Sequence, residues 1–201
     1  SSLPIALYPY SLGYIFSGSA VMDIQNTSGL GYSLNPAMVA IYAYHNQKLA
    51  DEGRIDFQYQ GLAFSTDKGR TWTKYSKNPV VPNPGIRDFR DPKVSWYAPG
   101  NVWIMTLAAA DRVQFYSSPD LLKWKFESEF GQTAGAHGGV WECPDLFPLP
   151  VEVGAQGLRP EQGLRSEGQP EKSRWVLKVD VQYGIGAQYF IGDFDGARFS
   201  N

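Results

Sequence analysis

The feature that most constrains the fold is a set of four short strand-like runs that recurs three times. Apolar or alternating runs are separated by turns of Gly, Pro, Asn, Asp and Ser, and helical periodicity is nearly absent. This pattern predicts an all-β fold. The predicted strands are 16–23, 37–44, 58–65 and 71–76, then 91–97, 102–109, 112–118 and 123–128, then 144–149, 174–181, 187–192 and 197–200.

A turn signal precedes the last strand of each group. Its full form is Ser65-x-Asp67-x-Gly69-x-Thr71-Trp72, with shorter versions at 118–124 and 192–196. The aspartate can accept backbone N–H bonds, the glycine can take a positive φ, and the tryptophan can pack between sheets. Asp67 and Asp120 are 53 positions apart (120 − 67). Four strands in each unit of about 50 residues are typical of β-propeller blades.

We therefore predict that residues 1–201 form part of one β-propeller with about three four-stranded blades. A closed propeller usually has about 4–8 blades, so three would leave sheet edges exposed. We expect a second chain or copy to cover those edges, or the sequence to belong to a longer protein. Residues 154–173, rich in Gly, Gln and charges, predict a mobile insertion, and 45–57 a shorter one. The predicted blades are approximately 1–78, 79–135 and 136–201.

The composition describes a globular chain with little net charge. Hydrophobic residues make up 43% of the 201 residues, the net charge is −2, and no basic patch occurs. Nucleic acid and anionic membranes are therefore not expected as partners. No apolar run approaches the ~18 residues that a membrane span needs. Aromatic residues reach 14%, which suits both strand packing and surfaces that stack against sugars.

Cysteine and histidine usage gives no sign of metal or cofactor chemistry. Cys143 is the only cysteine, so no internal disulfide can form, and His45 and His137 are far apart in the sequence. We therefore expect neither a metal site nor a cofactor. No signal peptide is recognised, although a mature secreted chain would look the same. The sequon Asn26-Thr27-Ser28 is compatible with secretion, and we predict an extracellular location.

Two short acidic segments are the candidates for chemistry. Phe89-Arg90-Asp91-Pro92-Lys93 and Trp141-Glu142-Cys143-Pro144-Asp145 each put a carboxylate beside a proline at the head of a strand-like run. Asp91 and Glu142 are 51 positions apart (142 − 91), so we expect both to face the central cavity. Paired carboxylates there are the equipment of glycoside hydrolysis; the alternative is that both segments only form turns. Trp141 is predicted to shield the acid from water or to pack between blades.

A family resemblance rests on five segments. They are Phe16-Ser17-Gly18-Ser19-Ala20-Val21, Asn26-Thr27-Ser28-Gly29, Phe89-Arg90-Asp91-Pro92, Trp141-Glu142-Cys143-Pro144-Asp145-Leu146 and Gln188-Tyr189-Phe190-Ile191-Gly192-Asp193-Phe194-Asp195-Gly196. With them the chain resembles glycoside hydrolase family 32, which includes fungal-type invertases, exo-inulinases and levanases. The resemblance covers nearly the whole chain, and the Arg-Asp-Pro and Glu-Cys elements in this order are its specific part. It implies a five-bladed propeller followed by a β-sandwich.

The resemblance also implies roles for individual residues. Glu142 matches the general acid/base that protonates the leaving-group oxygen and later activates water. Asp91 matches the stabiliser of the transition state, which hydrogen-bonds fructosyl hydroxyls, and Arg90 matches a neighbour that contacts the sugar. The remaining positions expected to contact or border the substrate are Phe16, Ser17, Trp141 and Cys143.

One element of the family pattern is not found. The resemblance implies a nucleophilic aspartate in a Trp-Met-Asn-Asp-Pro-Asn-Gly-like segment, and no Asn-Asp-Pro occurs in this sequence. Residues 1–6 resemble a stretch that follows that segment, so we expect the first blade and the sandwich to be missing. Asp23 is the nearest carboxylate in the first group, and we predict that it belongs to a turn.

The resemblance implies a retaining β-fructofuranosidase acting on sucrose, inulin or levan. This chain would supply the acid/base and the stabiliser without the nucleophile, so the isolated chain would be nearly inactive. The alternative is a catalytically inactive propeller fragment that binds fructans. A third interpretation, a sialidase-like glycosidase, needs an arginine cluster for the substrate carboxylate, and only Arg87 and Arg90 are close neighbours in the sequence.

Overall fold

The computed structural model describes residues 4–32, 34–151, 173–183 and 186–201. The strands are β1 Tyr14–Asp23, β2 Ala37–His45, β3 Gln58–Ser65, β4 Thr73–Lys74, β5 Phe89–Tyr97, β6 Val102–Ala109, β7 Arg112–Ser118, β8 Lys125–Phe130, β9 Trp141–Pro150, β10 Ser173–Val181, β11 Gly186–Phe194 and β12 Phe199–Ser200. A short helix, α1, covers Gln47–Asp51, and a 3-10 turn covers Ala98–Gly100.

The strands form three four-stranded antiparallel sheets with the orders β1-β2-β3-β4, β5-β6-β7-β8 and β9-β10-β11-β12. The predicted all-β class is confirmed, and each predicted group of four strands forms one sheet. β5 and β9 begin at Phe89 and Trp141, before the predicted starts at 91 and 144, because strand pairing continues through an irregular stretch described below. The predicted insertion 154–173 lies, apart from Ser173, outside the described residues. The blade boundaries stay a prediction.

The sheet β5–β8 lies between the other two and packs against both. One face of β6 joins a core with the first sheet, which includes Val39, Leu62 and Met105. The other face joins a second core, which includes Ile104 and Leu177. Burial on both faces explains why the middle strands read as nearly continuous apolar runs instead of alternating. The same stacking brings the first strands β1, β5 and β9 side by side.

The turn signals serve to shape hairpins. The carboxylate of Asp67 accepts hydrogen bonds from the Thr71 backbone N–H at 2.9 Å and its hydroxyl at 2.6 Å. Trp72 donates its indole N–H to the Gly69 carbonyl oxygen at 3.1 Å, and Gly69 has φ 80°. Asp120 accepts backbone N–H bonds in the second sheet in the same manner. These aspartates therefore have a structural role.

Candidate active site

Each of the three first strands carries a β-bulge where it approaches its neighbours. The register slips by one residue within Ile15–Gly18 of β1, within Arg90–Lys93 of β5 and within Glu142–Asp145 of β9. A bulge inserts one extra residue and redirects the side chains beside it. All three bulges contain predicted site residues. In each sheet, the same kind of backbone irregularity therefore orients the side chains of the site.

The bulges of β5 and β9 hold a non-glycine residue in the left-handed conformation. Asp91 has φ 61° and Cys143 has φ 46°, and each is followed directly by proline. Such a conformation costs about 1–3 kcal/mol and persists only where the surrounding structure enforces it. Strain of this kind concentrates at functional sites, and here it turns the side chains away from the regular pleat.

The two acidic segments, 89–93 and 141–145, align with each other in the structure differently from the alignment that the sequence suggested. The spacing of 51 had paired Asp91 with Glu142. In the structure, contacts between β5 and β9 join residues 52 apart, so Asp91 lies level with Cys143 and Arg90 lies level with Glu142. The two carboxylates are therefore diagonal neighbours on adjacent strands. The one-residue error arose because the prediction paired the two carboxylates with each other, whereas the equivalent steps of the two bulges are Asp91-Pro92 and Cys143-Pro144.

Arg90 connects the second sheet to both neighbouring sheets. It is 8% exposed. Its Nη1 donates to Asp88 Oδ1 at 2.6 Å and to Gln58 Oε1 at 3.3 Å. Its Nε and Nη2 donate to Glu142 Oε1 at 3.2 Å and 2.9 Å. Burial lowers the pKa of Arg90, but its bonds to Asp88 and Glu142 outweigh burial and raise it, so the guanidinium stays charged.

Glu142 is held through one of its two carboxylate oxygens. Oε1 accepts hydrogen bonds from Arg90 and from the side-chain amide of Gln182, the latter at 2.7 Å. Oε2 accepts no hydrogen bond from the described part of the chain. The side chain is 29% exposed. One oxygen is thus fixed in position while the other remains available to a reactant.

Asp91 is buried, and one of its carboxylate oxygens accepts hydrogen bonds from Cys143, the residue that lies level with it on β9. It is 7% exposed, and its Oδ2 accepts a hydrogen bond from the backbone N–H of Cys143 at 3.0 Å and from the thiol at 3.7 Å. Burial, together with the negative charges of Asp91 and Asp180, raises the pKa of the Cys143 thiol to about 11. The thiol is therefore protonated at neutral pH and acts as a donor to Asp91.

A cavity of about 500 Å³ gathers these groups. A neighbouring cavity of about 380 Å³ shares Ser17, Asp91 and Cys143 with it. Phe16 and Ser17 lie in the wall of the larger cavity; their contact with a sugar stays a prediction. All three sheets contribute to this wall, with Phe16, Ser17, His45 and Gln58 from the first, Asp88, Arg90 and Asp91 from the second, and Glu142, Cys143 and Gln182 from the third.

Four polar residues of this wall were missed by the sequence reasoning: His45, Gln58, Asp88 and Gln182. His45 stacks on Phe16 with ring centroids 4.5 Å apart, and its Nδ1 lies 3.2 Å from the Gln58 amide nitrogen. Both residues lie at strand ends next to the bulges. Only this location marks them as site residues, and it cannot be recognised in the sequence until the strand register is known.

Trp141 does not border the cavity. It is 0% exposed, its indole N–H donates to the Ala136 carbonyl oxygen at 2.8 Å, and its ring stacks with Phe190 at 5.9 Å. The expectation that Trp141 contacts the substrate is therefore corrected, because the side chain lies in the core beneath the acid. Of its two predicted roles, packing is the one that the structure supports.

Asp23 belongs to a turn, as predicted. It is 0% exposed. Its two oxygens accept four hydrogen bonds, from the backbone N–H and the hydroxyl of Thr27 and from the same groups of Ser28, at 2.6–2.9 Å. These bonds occupy both oxygens, so Asp23 is not available as a nucleophile.

The sequence matches the model of the glycosyl hydrolases family 32 N-terminal domain over residues 1–201. A levanase of Bacillus subtilis (strain 168) is 50% identical over 204 residues, covering 99% of this chain and 27% of the levanase. An extracellular exo-inulinase of Aspergillus ficuum is 38% identical over 223 residues, covering 98% of this chain and 38% of the inulinase.

Solved structures share the fold. A fructofuranosidase from Schwanniomyces occidentalis complexed with fructose superposes with a TM-score of 0.74 at 36% identity, covering 92% of this chain and 33% of that one. An exo-inulinase from Aspergillus awamori gives a TM-score of 0.72 at 34% identity, covering 92% and 37%. The chain thus spans between 27% and 38% of the length of these four relatives. Its three sheets are consistent with part of a five-bladed propeller.

Proposed function

This chain belongs to glycosyl hydrolase family 32, and we propose that it carries two of the catalytic groups of a retaining β-fructofuranosidase. The substrate class is the fructosides sucrose, inulin and levan. Glu142 is the general acid/base and Asp91 the stabiliser of the transition state. The observation that carries the proposal is the contact of Arg90 with Glu142 and of Asp91 with Cys143, which draws both carboxylates to one cavity.

The hydrogen bonds of Glu142 suit a proton carrier. Arg90 and Gln182 hold Oε1, which leaves Oε2 to give its proton to the glycosidic oxygen as the bond from that oxygen to the fructosyl carbon breaks. In that first half-reaction the covalent nucleophile, supplied from outside the two groups proposed for this chain, bonds to the fructosyl carbon as the glycosidic oxygen leaves. In the second half-reaction the carboxylate of Glu142 takes a proton from water as the water oxygen attacks the fructosyl carbon and displaces the nucleophile. A carboxyl group that alternates in this way is the general requirement of retaining glycoside hydrolysis.

The position of Asp91 suits a group that contacts the fructosyl ring. Its Oδ2 receives the Cys143 backbone N–H, and Oδ1 has no hydrogen-bond donor among the described residues, so it is free for fructosyl hydroxyls. A fixed negative charge beside the fructosyl ring stabilises the positive charge that develops on the ring in the transition state. The buried guanidinium of Arg90 pairs with Glu142 and with Asp88, so it brings positive charge to the cavity that holds the two proposed catalytic carboxylates.

The sequence holds no Asn-Asp-Pro segment for the covalent nucleophile, so we propose that the isolated chain binds fructosides without turning them over. The reaction requires carboxylates and water alone, and we propose no cofactor or metal for it. We also propose an extracellular location, because an extracellular exo-inulinase is among the relatives. Among the described residues, no helix has the length and apolar character needed to cross a membrane.

A segment exchange tests the proposed roles. In a chimera, this chain replaces the matched part of the Bacillus subtilis levanase, to which it is 50% identical, and the remainder supplies the rest of the enzyme. We expect the chimera to release fructose from levan. Glu142→Gln or Asp91→Asn should lower kcat by about 10²–10⁴-fold, the contribution typical of an acid/base or charge-stabilising group.

A matched control is Asp145→Asn. Asp145 lies on β9 like Glu142, but it lines only the neighbouring cavity and pairs with Lys93 at 3.1 Å, so kcat should change less than tenfold. A chimera that folds and binds levan but releases no fructose favours the alternative, an inactive fructan-binding propeller fragment. Equal losses in the Glu142 and Asp145 variants contradict the assignment of the acid.

A further inference from the structure

A separate cavity of about 400 Å³ opens on the first sheet beside the candidate active site. Tyr10 and Tyr14 form one side of it and residues 46–48 form the other. The two tyrosine side chains are 41% and 54% exposed. We call this the tyrosine cavity. Its combination of exposed aromatic rings with amide side chains is the chemistry that recognises sugars, because rings stack on C–H faces while amides bond hydroxyls.

The tyrosine cavity is built rigidly. The ring of Tyr10 packs edge-on against Tyr44 with centroids 5.7 Å apart, and the Lys74 ammonium lies 4.1 Å from the centroid of the Tyr10 ring. A turn closed by the bond from the Gly13 N–H to the Tyr10 carbonyl oxygen, at 2.8 Å, sets the backbone. Gly13 has φ 121°, and a Cβ there would lie 2.3 Å from the His45 carbonyl oxygen. A preformed surface loses little entropy when a ligand binds.

The tyrosine cavity adjoins the candidate active site, because residues that line one cavity contact residues that line the other. His45 lines the active-site cavity and stacks on Phe16, while its Nε2 lies 3.3 Å from the Gln47 side-chain oxygen in the tyrosine cavity. Tyr14 and His45 are also register partners between β1 and β2. A ligand that extends past Phe16 therefore reaches Tyr14 and Gln47 without leaving the protein surface.

The side chains that line the tyrosine cavity are mostly uncharged and favour a neutral ligand. Among the described residues that line it, none is acidic, and the one basic residue, Lys48, has a side chain that is 85% exposed. Asn46 and Gln47 supply the remaining side-chain polar groups besides the hydroxyls of Ser11 and the tyrosines. This set suits uncharged hydroxyl groups better than phosphate or carboxylate groups.

We propose that the tyrosine cavity binds further sugar units of a fructan chain whose terminal unit lies at Asp91 and Glu142. The inference rests on the proposed function and adds a preference for long fructans over short ones. The α1 segment, which has no part in the proposed chemistry, then serves as one wall of this extended site.

Calorimetry on the 201-residue chain tests the inference, with a fructan trisaccharide and with long inulin oligosaccharides as ligands. We expect the long oligosaccharides to bind more tightly. Tyr14→Ala should weaken their binding about fivefold to tenfold, as expected for the loss of one aromatic contact, and should change trisaccharide binding less than twofold. Tyr14→Trp keeps an aromatic face and should retain the preference. Tyr189→Ala, at an exposed tyrosine on β11 outside the cavity, is the matched control.

The outcomes separate this inference from the proposed function. If the chain binds the trisaccharide but binds long oligosaccharides no more tightly, the inference is wrong while the proposed function stands. The same holds if Tyr14→Ala and Tyr189→Ala weaken long-chain binding equally. If the folded chain binds neither ligand, both proposals fail. Thermal unfolding of each variant confirms that the exposed substitutions leave the fold intact.

Discussion

Replacing Arg90 with methionine should destabilise the folded chain by a predictable amount. Methionine retains most of the apolar stem but removes the guanidinium, which donates four hydrogen bonds to Asp88, Gln58 and Glu142. Asp88 and Glu142 then both lose the cation that pairs with them. The same substitution also frees Glu142 Oε1, so it probes the support of the proposed acid directly.

The exposure of the partners sets the magnitude. Removing one member of a fully buried ion pair costs about 3–5 kcal/mol. The side chains of Asp88 and Glu142 are 24% and 29% exposed, so water can reach both carboxylates and offset part of the loss. We expect Arg90→Met to lower the free energy of unfolding by about 2–3 kcal/mol. Arg90→Lys should cost about 1–2 kcal/mol, because one ammonium cannot bridge both carboxylates.

Urea unfolding followed by tryptophan fluorescence measures both variants. Arg54→Met is the control, because Arg54 pairs with Asp56 at an exposed position and should show little or no change. In a Glu142→Gln background, the cost of Arg90→Met should fall by about 1 kcal/mol, which is the coupling between the two side chains. An Arg90→Met variant as stable as Arg54→Met would refute the view that Arg90 ties the three sheets together.

The thiol of Cys143 should react with iodoacetamide about 20-fold more slowly at pH 8 than in urea-unfolded chain, since a pKa of about 11 leaves little thiolate. Asp91→Asn removes one charge that raises this pKa, so labelling measured by mass should accelerate; an unchanged rate would contradict the contact. Asp23→Asn should lower the free energy of unfolding at pH 7 by about 2 kcal/mol, because an amide cannot accept all four hydrogen bonds. Burial raises the pKa of Asp23, but bonds from Ser28 and Thr27 outweigh it and lower the pKa below 3.8. The wild-type advantage should therefore be complete above pH 3.8 and disappear as the pH falls below it; unfolding curves at several pH values check this sign.

The strands and hairpins could be predicted because their causes are local. Alternating apolar residues and turn residues such as Asp67 and Gly69 fix each strand and hairpin from a few neighbouring positions. Even the shortened signal at Asp120 forms the expected turn, with Leu121 adopting a positive φ of 65°. The grouping of four strands into a sheet followed from the spacing of those turns.

The site could be predicted in part only. The segments around Asp91 and Glu142 were found from their motifs, but the bulges that set their relative positions depend on pairing with β6 and β10. The contribution of Gln182 likewise requires the register of β10 against β9. The exclusion of Trp141 from the cavity depends on packing between two sheets. Such long-range relations leave no pattern in a single segment of sequence.

A crystal structure of the chain soaked with 1-kestose would show whether Asp91 and Glu142 flank a bound fructoside as proposed. We expect a terminal fructosyl unit in the cavity between the first strands, with its hydroxyls bonded to Asp91 Oδ1. The glycosidic oxygen should lie within about 3.2 Å of Glu142 Oε2, the reach of a proton donor. A sugar bound elsewhere on the chain, or one whose glycosidic oxygen lies far from Glu142, would contradict the proposed roles of Asp91 and Glu142.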